Sequence, residues 1–192
     1  MSAKKQPADA QIYQLKITLK DLAPPLWRRV QVSNRMTLGD LHSVIQLAMG
    51  WSNSHMHQFK VGKTYYGSSY PDDFDGTTET KNEEQITVGE VLAKPKAKLT
   101  YEYDFGDSWE HEVVLEKTLP PEQGVKYPTC LDGKRACPPE DCGGVWGYAN
   151  MLGVMDNPEH PEHDEMLEWL GEEFDPEAFS VEAVNKVLRK IR

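Results

Sequence analysis

Cysteine is scarce. Three residues in 192, an odd number, do not frame a chain of this length with disulfides. Long apolar runs are missing too: nothing approaches the ~18 residues that a membrane-spanning helix needs. The opening MSAKKQPADAQ has two lysines but no apolar stretch after them, which does not fit a secretory signal. There is no Walker or dinucleotide-binding glycine loop, no G-x-S-x-G elbow, no H-E-x-x-H pair and no internal repeat. These absences exclude the enzyme classes that are easiest to read. They leave a chain with reduced thiols, expected in the cytoplasm.

What is present is ordinary for a globular protein, 39% apolar and 27% charged. The net charge of −10 is unevenly spread: residues 1–70 balance at +6 and residues 71–192 at −16. Phosphate neutralisation supplies most non-specific nucleic-acid affinity, so the acidic part is a poor candidate for it. The basic N-terminal third keeps a DNA-binding accessory role open. The alternative is that the two regions pair with each other, within one molecule or across a homo-oligomer.

The chain is organised around Leu99–Leu115, LTYEYDFGDSWEHEVVL. Apolar and polar residues alternate, break at Gly106-Asp107-Ser108 and alternate again, the pattern of a half-buried β-hairpin. A three-residue loop pairing Phe105 with Trp109 puts Leu99, Tyr101, Tyr103 and Phe105 on one face with Trp109, His111, Val113 and Leu115. A two-residue loop would turn one strand's apolar set to water. The opposite face then sets Glu102 against Glu112 and Asp104 against Glu110, a repulsion that lysines, solvent or a bound cation must offset.

Before the hairpin, Ile12–Lys20 alternates with Tyr13, Leu15, Ile17 and Leu19 facing inward, and Leu26–Val32 reads as a second strand. Thr37 opens a helix with Asp40 as its capping partner, and Gly50 closes it. His55–Val61 and Lys63–Tyr66 read as strands and residues 68–84 as a surface loop. Thr87-x-x-Glu90 starts a short helix that Pro95 stops. Residues 127–144 read as a Cys-, Pro- and Gly-rich loop, followed by helices near 145–154, 161–170 and 180–191. The expected fold is α+β: an N-terminal mixed sheet with one packed helix, β-grasp-like, and a helical C-terminal region. Residues 1–11 read as a disordered tail, 12–119 as the sheet core, and 120–192 as loop and helices packed on it in one unit.

LAPPLWRRV (22–30), AMGW (48–51) followed by HMHQF (55–59), YDFGDSWEH (103–111), CPPEDCGG (137–144) with Gly147-Tyr148, and FDPEAF (174–179) occur in this order. In them the sequence closely resembles the plasmid pRiA4b ORF-3-like proteins, some described as TnpR-like passengers of insertion elements. The resemblance runs from about Ile12 to the C-terminus. It implies a plasmid or mobile-element setting and no particular reaction.

Three chemistries follow from the residues. Asp104, Asp107 and His111 flank the hairpin turn, and with His57, which shares a strand face with His55, they form a candidate set for Mg²⁺, Mn²⁺ or Zn²⁺. With a divalent metal as cofactor, Asp104, Asp107 and His111 would be the catalytic residues of a hydrolase or nuclease. A second, weaker metal set is Cys137 and Cys142 with His160 and His163. A Cys137 nucleophile is disfavoured by Glu140 and Asp141, which raise rather than lower its pKa. Trp27-Arg28-Arg29, Arg35, Trp51, Lys60 and Lys63 mix cations with aromatics as single-strand binders do, although an arginine here equally suits the acidic hairpin face.

The leading expectation is a non-enzymatic binding or accessory module, with Trp109, Tyr103, Trp27 and Arg28 as ligand-binding residues. Its partner is a protein or a nucleic acid, and no membrane is involved. The hydrolase needs Asp104, Asp107 and a histidine around one cleft. The binding module needs an apolar pocket near Trp109 without convergent titratable groups.

Overall fold

The computed structural model describes residues 10–68, 80–171 and 174–191. Most of the expected tail (1–9) and the middle of the expected surface loop (69–79) lie outside them. Strands β1 (Ile12–Leu19) and β2 (Leu26–Ser33) form an antiparallel pair. Tyr13, Leu15, Ile17 and Leu19 are buried, as the alternation requires. Helix α1 (Leu38–Met49) follows. Asp40 N–H donates to Thr37 Oγ1 at 3.0 Å and Thr37 N–H donates back to Asp40 Oδ2 at 2.9 Å, so two of the helix's open donors are satisfied reciprocally. Gly50 ends the helix at φ 104°, where a side chain would be strained.

Next come β3 (His57–Val61), β4 (Thr64–Gly67), the short β5 (Thr80–Asn82), a 3-10 turn at Glu83–Gln85 and α2 (Val88–Val91). The hairpin is β6 (Lys98–Tyr103) and β7 (Trp109–Leu119). Strand β8 (Thr129–Lys134) and helices α3 (Gly144–Met155), α4 (His163–Leu170) and α5 (Val181–Leu188) complete the order. The eight strands form one sheet ordered β5-β4-β3-β6-β7-β1-β2-β8, antiparallel except for β4–β5 at one edge. The ββα opening that suggested a β-grasp core is present as β1, β2 and α1, and the sheet grows beyond it in its own order. Leu38, Leu41, Val44 and Ile45 of α1 share one buried cluster with Leu15, Ile17, Phe59 and Tyr101 of the sheet. Each such side chain contributes about 1.5–3 kcal/mol.

Three expectations change. The end of the expected surface loop forms β5 and the 3-10 turn, with Glu83 buried. Residues 127–144 are not all loop: β8 pairs with β2 at the sheet edge. The hairpin register is Tyr103↔Trp109 and Tyr101↔His111, so five residues form its loop and Phe105 is exposed. The parity is still odd, which keeps both apolar sets on the buried face. Glu102 then opposes Glu110. Gln58 Nε2 donates to Glu102 at 2.6 Å, Ser108 Oγ donates to it at 2.9 Å, and Lys20 pairs with Glu110 at 2.5 Å, so neutral donors and a lysine offset that repulsion.

Candidate functional site

Three loops meet at one end of the sheet: residues 51–56, the 104–108 turn and residues 137–143. Asp104, at φ 57°, shapes the turn: its Oδ1 accepts from Gly106 N–H (2.9 Å) and Asp107 N–H (3.3 Å). Its Oδ2 lies 3.7 Å from His55 Nδ1, and His55 Nε2 lies 3.2 Å from Asp141 Oδ1. One ligand atom from each of these three residues falls within 4.8 Å of the others; among the described residues they are the one such His/Cys/Asp/Glu group. Tyr103 ties the loops together. Its hydroxyl donates to Glu140 Oε1 at 2.5 Å and accepts from Ser54 N–H at 3.0 Å and His55 N–H at 3.3 Å. Burial alone would raise the Glu140 carboxyl, but hydrogen bonds from Ser52 and Tyr103 outweigh it and hold it below the usual carboxylate range.

A polar cleft of about 480 Å³ opens beside this junction, with His42, Asn53, Ser54, His55, His57 and Glu83 in its wall. The rings of His42 and His57 stack 3.4 Å apart and 6° from parallel. Gln46 Nε2 donates to Tyr101 Oη at 2.9 Å. The Tyr101 hydroxyl therefore has its proton for His42 Nδ1 (2.8 Å), and His42 Nε2–H donates to Asn53 Oδ1 at 2.8 Å. This chain fixes a neutral His42. Burial first, and then the neighbouring His57, push its pKa down to about 4. His57 Nε2 pairs with Glu83 at 2.9 Å.

A groove of about 770 Å³ opens on the other side of the turn, walled by Leu22, Ala23, Val145, Trp146, Ala149 and Leu152, with Asp21 and Asp107 also lining it. Trp146 is 87% exposed. Asp107 docks the turn on the start of α3 by accepting from Gly143 N–H at 3.2 Å. The approach is so close that a Cβ at Gly144 would fall 2.5 Å from Asp107 O.

The residues singled out in the sequence mostly serve the fold. Tyr103 and Trp109 are fully buried and offer no ligand surface. His111 is fully buried as well, 5.3 Å from the Trp51 ring and 5.4 Å from Tyr101, and burial pushes its pKa down to about 4. Asp104, Asp107, His111 and His57 therefore do not converge: Asp104 meets His55, Asp107 meets Gly143, and His57 meets His42 and Glu83. Because β3 starts at His57, His55 lies in the loop and turns toward Asp104 and Asp141 instead of sharing a strand face.

The cysteine set does not assemble either. Burial raises both thiols, Cys142 to about 12, and neither joins His160 or His163 in a ligand group among the described residues. Arg28 is buried, donating to Ala48 O (2.9 Å), Trp27 O (3.0 Å) and Lys134 O (2.9 Å). Arg29 forks onto Glu116 at 2.7 and 3.0 Å and lies, with Lys16, over the Trp27 ring. The basic and acidic regions thus pair in part within the molecule. His42 was missed by sequence reasoning, since it sits beside the apolar stripe of a helix and carries no motif. No helix among the described residues is long and apolar enough to cross a membrane.

The family model described as plasmid pRiA4b ORF-3-like protein matches residues 11–183. The chain is 36% identical over 180 residues to the uncharacterised protein y4hQ of Sinorhizobium fredii, covering 93% of this chain and 91% of the relative. It is also similar to the crystal structure of a protein of unknown function, MM3350, from Methanosarcina mazei Go1. That match has a TM-score of 0.82 and 38% identity, over 91% of this chain and 96% of that one.

Proposed function

This chain belongs to the plasmid pRiA4b ORF-3-like protein family, and from there we propose that it is a non-enzymatic binding module, an accessory protein of plasmid or mobile-element context. The observation that carries the reading is the groove beside Trp146. A large aromatic left 87% exposed at the lip of an apolar groove is what a protein anchor site requires. Asp21 and Asp107 line the groove together with Arg135, whose guanidinium is already paired with Glu177 at 2.7 Å, and residues 71–192 balance at −16. The occupant is therefore a partner segment that inserts an apolar side chain flanked by lysine or arginine.

The groups that could do covalent chemistry are quiet. Burial raises the Cys137 and Cys142 thiols, and His42 and His111 are held neutral inside. We also take 12–119 and 120–192 as one unit, since β8 extends the sheet beside β2 and α5 lies against α1. A peptide-display selection against the purified chain tests the proposal. It should enrich apolar–basic peptides whose binding is lost at least tenfold in Trp146→Ala. Peptides indifferent to that substitution would overturn it.

A second reading, a metal-dependent hydrolase or nuclease, has one observation in its favour: His55, Asp104 and Asp141 meet beside a polar cleft. Hydrolysis of an aryl phosphodiester with added Mn²⁺, abolished in Asp104→Asn, would promote it. The DNA-binding reading draws less support, because Arg28 is buried and Arg29 is held by Glu116.

A further inference from the structure

Three segments with separate reasons for their shape bring His55, Asp104 and Asp141 to one point. The loop carrying His55 is held by Tyr103, whose hydroxyl accepts from Ser54 N–H and His55 N–H. Asp104 is fixed by the turn it caps, which uses Oδ1 and leaves Oδ2 toward His55. Asp141 follows Glu140, which Ser52 and Tyr103 hold. These segments are the HMHQF, YDFGDSWEH and CPPEDCGG stretches that carry the family resemblance, so each stretch delivers one ligand atom.

We propose that His55, Asp104 and Asp141 bind one divalent transition-metal ion of the Zn²⁺ or Mn²⁺ class. Metal–ligand bonds of ~2.0–2.2 Å place neighbouring ligand atoms about 3.0–3.6 Å apart. The Nε2–Asp141 Oδ1 separation of 3.2 Å already fits. Asp104 Oδ2 lies 3.7 Å from the other ring nitrogen, Nδ1, and one ligand atom from each residue falls within 4.8 Å. The His55 and Asp141 side chains must therefore turn to close the set on one nitrogen. An independent observation concerns the ring itself. His55 Nε2 is shielded from solvent and makes no hydrogen bond among the described residues, although the Asp141 carboxylate is 3.2 Å away. A ring nitrogen that near a carboxylate but misaligned for a proton suits a shared cation. Two carboxylates facing one imidazole also leave net negative charge for the ion to balance.

Nitrogen with oxygen donors selects a first-row transition ion over Ca²⁺ or Mg²⁺. Three protein ligands leave coordination positions open, and His55 also lines the polar cleft. The turn ligand Asp104 is held by the same hydrogen bonds that shape the hairpin end, a second shell of the kind that orients metal ligands. Trp146 takes no part, so this site stands or falls separately from the groove.

Zinc titration of the full untagged chain, in competition with a chromophoric chelator, tests the proposal. Wild type should bind one Zn²⁺ per chain, at least tenfold more tightly than Ca²⁺. Asp141→Asn and His55→Gln should each weaken it at least tenfold, and His160→Gln should leave it unchanged. Asp141 is an exposed residue at φ 60°, a conformation asparagine tolerates, so that variant folds and keeps the test valid. In the ¹H–¹⁵N spectrum of the imidazoles, His55 should be the ring that zinc shifts. Absent zinc binding, binding unchanged in both site variants, binding lost only in Cys137→Ser, or tighter binding of Ca²⁺ would each overturn it.

Discussion

Replacing Arg28 by methionine separates a structural arginine from a ligand-binding one. Arg28 is 2% exposed and, among the described residues, has no carboxylate partner. Its charge is met by three carbonyls and by the Phe179 ring 4.6 Å away. One of those carbonyls, Ala48 O, belongs to the last turn of α1, the negative end of the helix dipole. The guanidinium thereby ties β2 to α1 and to the edge strand β8. Methionine fills similar volume but leaves three carbonyls short of a donor, at roughly 1–3 kcal/mol for each one fully orphaned. Relief of a buried charge offsets part of this, since burial already lowers the Arg28 pKa. The expected net loss is about 2–4 kcal/mol. With a urea m-value of ~3 kcal/mol/M, the unfolding midpoint should fall by about 1 M without a change in slope. Arg28→Lys should fall in between, because an ammonium cannot fork to several carbonyls at once. A midpoint shift under about 0.2 M, or unchanged stability with lost nucleic-acid affinity, would refute this reasoning.

His42 and His111 stay neutral in the fold down to about pH 4. Between that value and the free histidine pKa of ~6.5 the unfolded chain binds the extra protons, so stability is full above this window and falls as pH drops through it. Urea melts should show a slope of roughly 1.4 kcal/mol per pH unit for each group, and His111→Phe should remove about half of the total. The Glu116 carboxyl is held below the usual range chiefly by Arg29, so its contribution is present at neutral pH and lost in acid as the carboxyl protonates. Arg29→Gln should flatten that acid limb and, since both partners are only partly exposed, cost about 1 kcal/mol at pH 7. Gly147→Ala should destabilise by at least about 2–3 kcal/mol, because its Cβ would fall 1.8 Å from the backbone oxygen of Cys142. Thermal melts would read this, and a wild-type melting temperature would contradict it.

How far the sequence could be read depended on how local each cause was. The inward face of β1 and the Thr37–Asp40 cap were legible because each follows from a few adjacent residues. The hairpin's parity was legible too, since only odd loops bury both apolar sets, yet its length was not. Asp104 enters a left-handed conformation and caps the turn with its own side chain, which makes five loop residues instead of three. Strand β8 was hidden by Pro128, Asp132 and Gly133, which read as loop, and only its pairing with β2 reveals it. At the site, Asp104 was named and His55 was noted beside His57, but Asp141 was not read as a ligand. Asp141 lies 37 positions further along the chain than Asp104, and only tertiary approach shows that they meet at His55. Tyr103, Trp109 and His111 carried the right pattern for burial, and burial is what they do.

The central claim is that the groove between the hairpin turn and α3 seats a partner segment. The most direct test is a ¹H–¹⁵N spectrum of the labelled chain titrated with a display-selected apolar–basic peptide. The Trp146 indole N–H and the backbone amides of Val145, Ala149 and Leu152 should shift together and saturate, and Trp146→Ala should abolish the response. Shifts confined to His42, His57 and Glu83, with the groove silent, would contradict it.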